Sequence, residues 1–218
     1  MMNQRVAVVL LAVSWPSIAV LHAQQSASRL EPDGFHTFDK RASNLVRVDP
    51  NANWARYRAY QLAPAVYEPS SSRYALKPGE VRKVESTVDS SLQRSFMSSN
   101  RAEGPVLEVR PVITRFKRTN TLLNILGFAA VQAPISFGAA SVRYELFDTA
   151  SGARVGVISC QRKARPWNVY PWNALYNFEA LGQGSVILKS DSRRLRKDLD
   201  RLGKLRPGQD QAAVSGAE

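Results

Sequence analysis

The sequence predicts an α+β fold, a two-layer sandwich in which a mixed or antiparallel sheet of about four strands carries two amphipathic helices on one face. Three observations predict it. Ser141 to Arg165 alternates apolar and polar residues on either side of a strong turn. Val81, Val84, Val88, Leu92 and Phe96 recur at three- and four-residue spacing. Leu188, Leu195, Leu199 and Leu202 form a second such stripe near the C-terminus. A half-apolar hairpin and two half-apolar helices can hide those sides from water only against one another.

The N-terminus stands outside that plan. Arg5 is followed by sixteen residues without a charge, Val6 to Leu21, and then by Leu21-His22-Ala23 before a polar run. Charged, apolar and small residues in that order are a secretory signal, with cleavage expected between Ala23 and Gln24. Ser14, Trp15 and Pro16 interrupt the run, and a spanning helix needs about 20 apolar residues, so cleavage is preferred to retention as a membrane anchor. Cys160 is the single cysteine of the 218 residues, so no internal disulfide is available and none follows the apolar run to take a lipid. It reads as a small buried hydrophobe rather than a reactive thiol. The formal charge is +12, and +11 once Arg5 is removed with the signal. In an exported protein the polyanions within reach are lipid headgroups, lipopolysaccharide and cell-wall polymer rather than nucleic acid, and the charge also serves solubility by itself.

Gln24 to Asn53 is polar and broken by Pro32, Gly34 and Pro50, which predicts a linker with Phe35, Phe38, Leu45 and Val46 as docking points. His36 is the only histidine after cleavage, so a histidine metal cluster is excluded. Trp54 to Tyr67 predicts a first strand with Tyr60, Leu62 and Val66 inward, and Pro64 places it at an edge or breaks it. A serine-rich loop, 68–76, leads into the helix from Pro78 to about Ser98, with Pro78 in the first turn where its missing donor costs nothing. Val106 to Arg118 is a second strand, Leu107, Val109 and Ile113 on one side, Glu108, Arg110, Val112 and Thr114 on the other. Pro111 again suggests an edge or a bulge.

Thr119 to Val142 contains no charged residue. Three readings fit: a surface touching a membrane, a partner-binding loop, or a flap over the domain's own core. Asn124, Gln132, Pro134 and two glycines make it a poor spanning helix. In the hairpin, Val142, Tyr144 and Leu146 alternate with Arg143 and Glu145, and Val155 and Val157 repeat the pattern. Asp148-Thr149-Ala150-Ser151-Gly152 makes the turn, with Gly152 left-handed and an extra residue nearby as a bulge.

The hairpin ends on Arg162-Lys163-Ala164-Arg165, and five aromatics lie between Pro166 and Phe178. Cations beside aromatics can stack on sugars, bases or headgroups, which makes Arg162, Lys163, Arg165, Trp167, Tyr170 and Trp172 the candidate interaction surface. The same ingredients serve to seal a sheet edge. Ser185 to about Leu202 is the second helix, with Asp198 in reach of Arg194 and Arg201 on a solvated face. Gly182-Gln183-Gly184 lacks the lysine of a phosphate loop and reads as that helix's start. The chain thus divides into a signal (1–23), a polar linker (24–53), a single domain (54–203) and a disordered tail (204–218). No nucleophile with its base, convergent carboxylates, cofactor motif or metal-ligand set is visible, so no catalytic, cofactor-binding or metal residues are assigned and an enzyme is not expected.

Asp49-Pro50 with Trp54 and Tyr57, the Val81 to Phe96 helix, Asn120 with Asn124, and Ser141, Glu145, Asp148 and Gly152 carry a resemblance to a bacterial envelope family, domain of unknown function 3313, over about Leu45 to Leu202. The resemblance implies a Gram-negative, lipoprotein-like protein, with no activity and no functional residues to transfer. Without an anchoring cysteine, a soluble periplasmic form is expected, membrane-associated if the signal is retained. Two functions fit: a non-enzymatic envelope protein binding a partner protein or anionic polymer, with peripheral membrane contact open, or a carrier of a small apolar ligand or lipid with residues 119–142 as lid.

Overall fold

Among the described residues, alternation gives seven strands: β1 (His36–Arg41), β2 (Asn44–Val48), β3 (Ala59–Leu62), β4 (Val66–Tyr67), β5 (Val106–Lys117), β6 (Ala139–Asp148) and β7 (Arg154–Lys163). Helical periodicity gives α1 (Pro78–Phe96), α2 (Thr121–Val131) and α3 (Gly182–Leu202). The computed structural model describes residues 34–41, 43–97, 104–131, 136–163 and 181–204. Its α+β sheet runs β1-β2-β7-β6-β5-β3, with β4 also pairing β5. All neighbours are antiparallel except β3 and β4, which run parallel to β5. Parallel neighbours need a crossover, and α1 supplies it between β4 and β5.

The sheet exceeds the expected four or so strands because the polar linker expected over residues 24–53 contains two of them. Val46 and Val48 alternate with Leu45 and Arg47, and both valines are buried in the core as β2 pairs with β7. Pro32, Gly34 and Pro50 hid a five-residue strand that alternates cleanly. The strand expected from Trp54 to Tyr67 is split by Pro64 into β3 and β4, and Val66 is exposed while Tyr67 packs on the core. β5 is not an edge. Its Pro111 lies between the stretch paired with β3, up to Val109, and the stretch paired with β4, from Val112, where no ladder bond from its nitrogen is needed.

α1 and α3 pack on each other and on one face of the sheet. Val84, Val88, Leu92 and Phe96 of α1 and Leu188, Leu195, Leu199 and Leu202 of α3 are all buried, against Val109, Ile113, Phe116, Val142, Tyr144 and Ile158. Burying one such side chain contributes about 1.5–3 kcal/mol. Pro78 stands in the first turn of α1, and Glu80 accepts the Lys77 backbone N–H at 2.9 Å. α1 also binds the crossover's edge: the Asp89 and Glu85 carboxylates accept the Ala65 and Tyr67 N–H groups at 2.8 and 3.0 Å. α3 departs from expectation at Asp198, which is buried and accepts from Asn44 at 2.6 Å and Arg41 at 2.9 Å, while Arg201 reaches Asp39 at 2.7 Å. A helix charge placed beneath an edge strand meets that strand's donors rather than water.

In the hairpin, Gly152 has φ +69° and its N–H donates to the Asp148 carbonyl at 2.8 Å, while the Asp148 side chain accepts the Ala150 N–H at 3.0 Å. The register shifts between Leu146 and Phe147, opposite Gly156 and Arg154, which leaves Val155 as the extra residue. That slip turns Val155, Ile158 and Cys160 to the core and moves Val157, expected inward, opposite Glu145 on the other face.

Candidate functional site

Because side chains alternate along a strand, fixing the core face also fixes the one that α1 and α3 leave uncovered. β5 places Glu108, Arg110, Arg115 and Lys117 there, β6 places Ser141, Arg143 and Glu145, and β7 places Ser159, Gln161 and Lys163. A bulge between Ile113 and Arg115 lets Ile113 and Phe116 both face the core while Arg115 and Lys117 face away. Both carboxylates are taken by neighbours: Glu108 accepts from Arg110 at 2.8 and 2.9 Å, and Glu145 lies 3.0 Å from Arg143. Arg115, Lys117 and Lys163 have no carboxylate against them among the described residues.

A depression of about 360 Å³ opens on this face, lined by Ser70, Tyr74, Thr114, Arg115, Ser141, Arg143, Ser159 and Gln161 together with Val142 and Cys160. Tyr74 belongs to a 3-10 turn, Ser72–Tyr74, held to β5 by the Ser70 N–H donating to the Thr114 carbonyl at 2.8 Å and to β4 by the Tyr67 hydroxyl donating to the Tyr74 carbonyl. The Arg115 guanidinium stacks over the Tyr74 ring at 4.9 Å, and its buried Nε has no hydrogen-bond partner. Guanidinium groups bind planar anions through paired N–H donors, hydroxyls and an amide match sugar hydroxyls, and an aromatic face accepts a sugar ring by stacking. Two further depressions are also rich in cations. One of about 330 Å³ between α1 and α3 is lined by Ser91, Arg94, Ser95, Lys189 and Arg193. Another of about 450 Å³ includes Tyr57, Arg58, Tyr60, Arg196 and Lys204, with Asp200 among them.

The surface expected from sequence divides. Lys163 is exposed on the open face. Arg162 points the other way, donating to Ser190 Oγ at 2.6 Å with Nε 3.4 Å from the Asp191 carboxylate, so it fastens β7 to α3. Arg165, Trp167, Tyr170 and Trp172 lie outside the described residues, as do Ala23, Gln24 and the 204–218 tail beyond Lys204. Tyr74, Arg115, Ser141, Ser159 and Gln161 escaped the sequence reading. Their signal was the alternation of Ser159 and Gln161 with Ile158 and Cys160, readable only once the bulge at Val155 is known.

Beneath the site, Cys160 is buried and donates to Asn44 Oδ1 at 3.3 Å; burial raises its thiol far above the usual range and leaves it protonated. Asp191, fully buried on α3, is pushed up to about 7 by burial, against the opposing pull of Arg162. Among the described residues no three histidine, cysteine or carboxylate side chains stand close enough to share a metal ion.

Among the described residues of the uncharged segment, the helical part turns its apolar side chains outward instead of over the core. Thr121–Val131 forms α2, which exposes Leu122, Leu123, Ile125 and Leu126, while Ala139–Val142 enters the sheet. The Asn pair that carried the family resemblance is structural: Asn120 Oδ1 accepts the Leu123 N–H at 3.1 Å as a helix cap, and buried Asn124 accepts the Ser136 N–H at 2.7 Å.

A family model described as "Protein of unknown function (DUF3313)" matches residues 25–183. No curated protein matches the chain. Among solved structures it is similar to a variant of the PelC dodecamer from Paraburkholderia phytofirmans, at 16% identity and TM-score 0.40, covering 72% of this chain and 96% of that one. It is also similar to a minor lipoprotein from Acinetobacter baumannii, at 11% identity and TM-score 0.35, covering 69% of this chain and 98% of the other.

Proposed function

This chain belongs to the DUF3313 family, and from that premise we propose that it is a non-catalytic, exported protein of the cell envelope that binds an anionic envelope polymer on the open face of its sheet. One observation carries the reading: the depression on that face is lined by two arginines, four hydroxyl side chains of serine and threonine, a glutamine and a tyrosine beside Val142 and Cys160, and by no carboxylate among the described residues. Arg115 carries a positive charge into it, with the guanidinium set over the Tyr74 ring. An anionic sugar chain would meet that charge and the hydroxyls together. The surplus charge of the chain would draw such a polymer from solution, more strongly at low salt. The alternative, a carrier with residues 119–142 as lid, is disfavoured by the outward-facing side chains of α2.

Titration calorimetry with alginate, an acidic polysaccharide, and with neutral dextran tests the proposal. Alginate should bind with an affinity that falls as salt is raised, and dextran should not bind. Arg115→Ala should weaken alginate at least about tenfold, the value of one hydrogen bond to a charged group, and Arg115→Lys should retain part of the binding. Undiminished binding by Arg115→Ala, or equal uptake of dextran, would refute the assignment.

A further inference from the structure

Packing accounts for α1 and α3 but not for α2. Leu122, Leu123, Ile125 and Leu126 are 66, 43, 48 and 54% exposed, and Ala129 and Ala130 are exposed beside them. With 3.6 residues per turn these six fall in one unbroken arc of about 160°. The opposite side is anchored. Asn124 is fully buried and accepts the Ser136 N–H, and Ser136 Oγ accepts the Asn120 N–H at 2.9 Å. The apolar arc therefore faces outward because the polar side of the helix is tied down. Exposed apolar surface of this kind marks a contact, and the charges around it select the partner.

We propose that α2 is a docking element for an anionic bilayer surface, lying in the interface with Leu122, Leu123, Ile125 and Leu126 at the acyl boundary and with lysines at the headgroups. Lys117, four residues before α2, and Lys163 both pair with Ala139, so they flank one position at the sheet end from which α2 departs. Neither meets a carboxylate among the described residues, and residues 109–144 contain no Asp or Glu at all. An uncharged helix with lysines at its base complements phosphate headgroups above an acyl layer. Two copies meeting through α2 would instead bring four lysines together. At 11 residues, α2 is about 16 Å long, half the hydrocarbon thickness, so it lies on a membrane rather than crossing it. None of this depends on a polymer occupying the open face.

The test places a fluorophore on α2 itself. In the full chain, Leu126→Cys takes an environment-sensitive NBD label, while buried Cys160 does not react. Vesicles of equal parts phosphatidylglycerol and phosphatidylcholine should raise and blue-shift NBD emission, and phosphatidylcholine alone should do so far less. Replacing Lys117 and Lys163 together by Ser should lower partitioning about thirty-fold, the effect of two cations at such a surface. Leu122→Ser with Ile125→Ser should also lower it while leaving the circular dichroism spectrum unchanged. Vesicles that co-sediment with the protein without shifting the label would locate binding elsewhere and overturn the proposal. So would a shift that grows with protein concentration in the absence of lipid, which would identify a second copy as the occupant.

Discussion

Asp191→Asn should abolish a pH dependence of stability that the fold builds in. Asp191 is fully buried on α3, with Arg162 3.4 Å away, and its carboxyl titrates at about 7 instead of the ordinary 3.8. Folding therefore favours the protonated acid. The stabilisation is complete below about pH 4, declines by about 1.4 kcal/mol per pH unit as the unfolded chain alone ionises, and is gone above about pH 7. The whole change is at most about 4 kcal/mol. Asp39, where burial pulls upward but Arg201 and Arg41 together outweigh it, and Glu108, where Arg110 outweighs burial, have carboxyls held below the usual range; they act in the opposite sense and only at lower pH, where stability is lost as they protonate. Urea unfolding at intervals from pH 5 to pH 8 should show the parent chain losing about 2 to 3 kcal/mol up to pH 7 and little beyond. The Asn variant should be flat across that range, with Arg162 still held by Ser190. Parallel curves for the two proteins would refute the reasoning, because they would place the titrating group elsewhere.

Two other outcomes follow from packing. Gly184→Ala should destabilise by about 1–3 kcal/mol in spite of alanine's better helix propensity, because the added methyl falls within the Phe116 ring; Phe116→Leu in the same chain should restore part of the loss, read by thermal unfolding. Cys160 should resist a thiol reagent in the native protein and react fully in denaturant, since it is 1% exposed and protonated; rapid native labelling would contradict its position between β2 and α3.

Elements whose periodicity is unbroken were legible in the sequence. The stripes of α1 and α3 name their own buried faces, and the turn from Asp148 to Gly152 announces the hairpin. Strands shorter than the distance between breakers were not: β2 has five residues between Ser43 and the Asp49-Pro50 turn, and only its pairing with β7 shows that Val46 and Val48 are core. The candidate site failed to show for a related reason. Its residues come from β5, β6, β7 and a turn near Tyr74, and two bulges, at Thr114 and Val155, decide which of them share a face. A bulge changes every inward position beyond it and leaves almost no compositional trace. The exposed arc of α2 was visible as a lack of charge, but its direction depended on Asn124 turning inward.

The two margins of the sheet point to how this molecule can be approached. At one, β1 carries Asp39, Lys40 and Arg41, the first and last tied into the charges of α3; at the other, Pro64 interrupts the strand and carboxylates from α1 already occupy the neighbouring amides. Charge therefore stands at both rims, where it opposes the lengthening of the ladder by a foreign strand. An associate meets charged side chains at either rim before it meets backbone, so the identity of individual residues weighs heavily in what it can be.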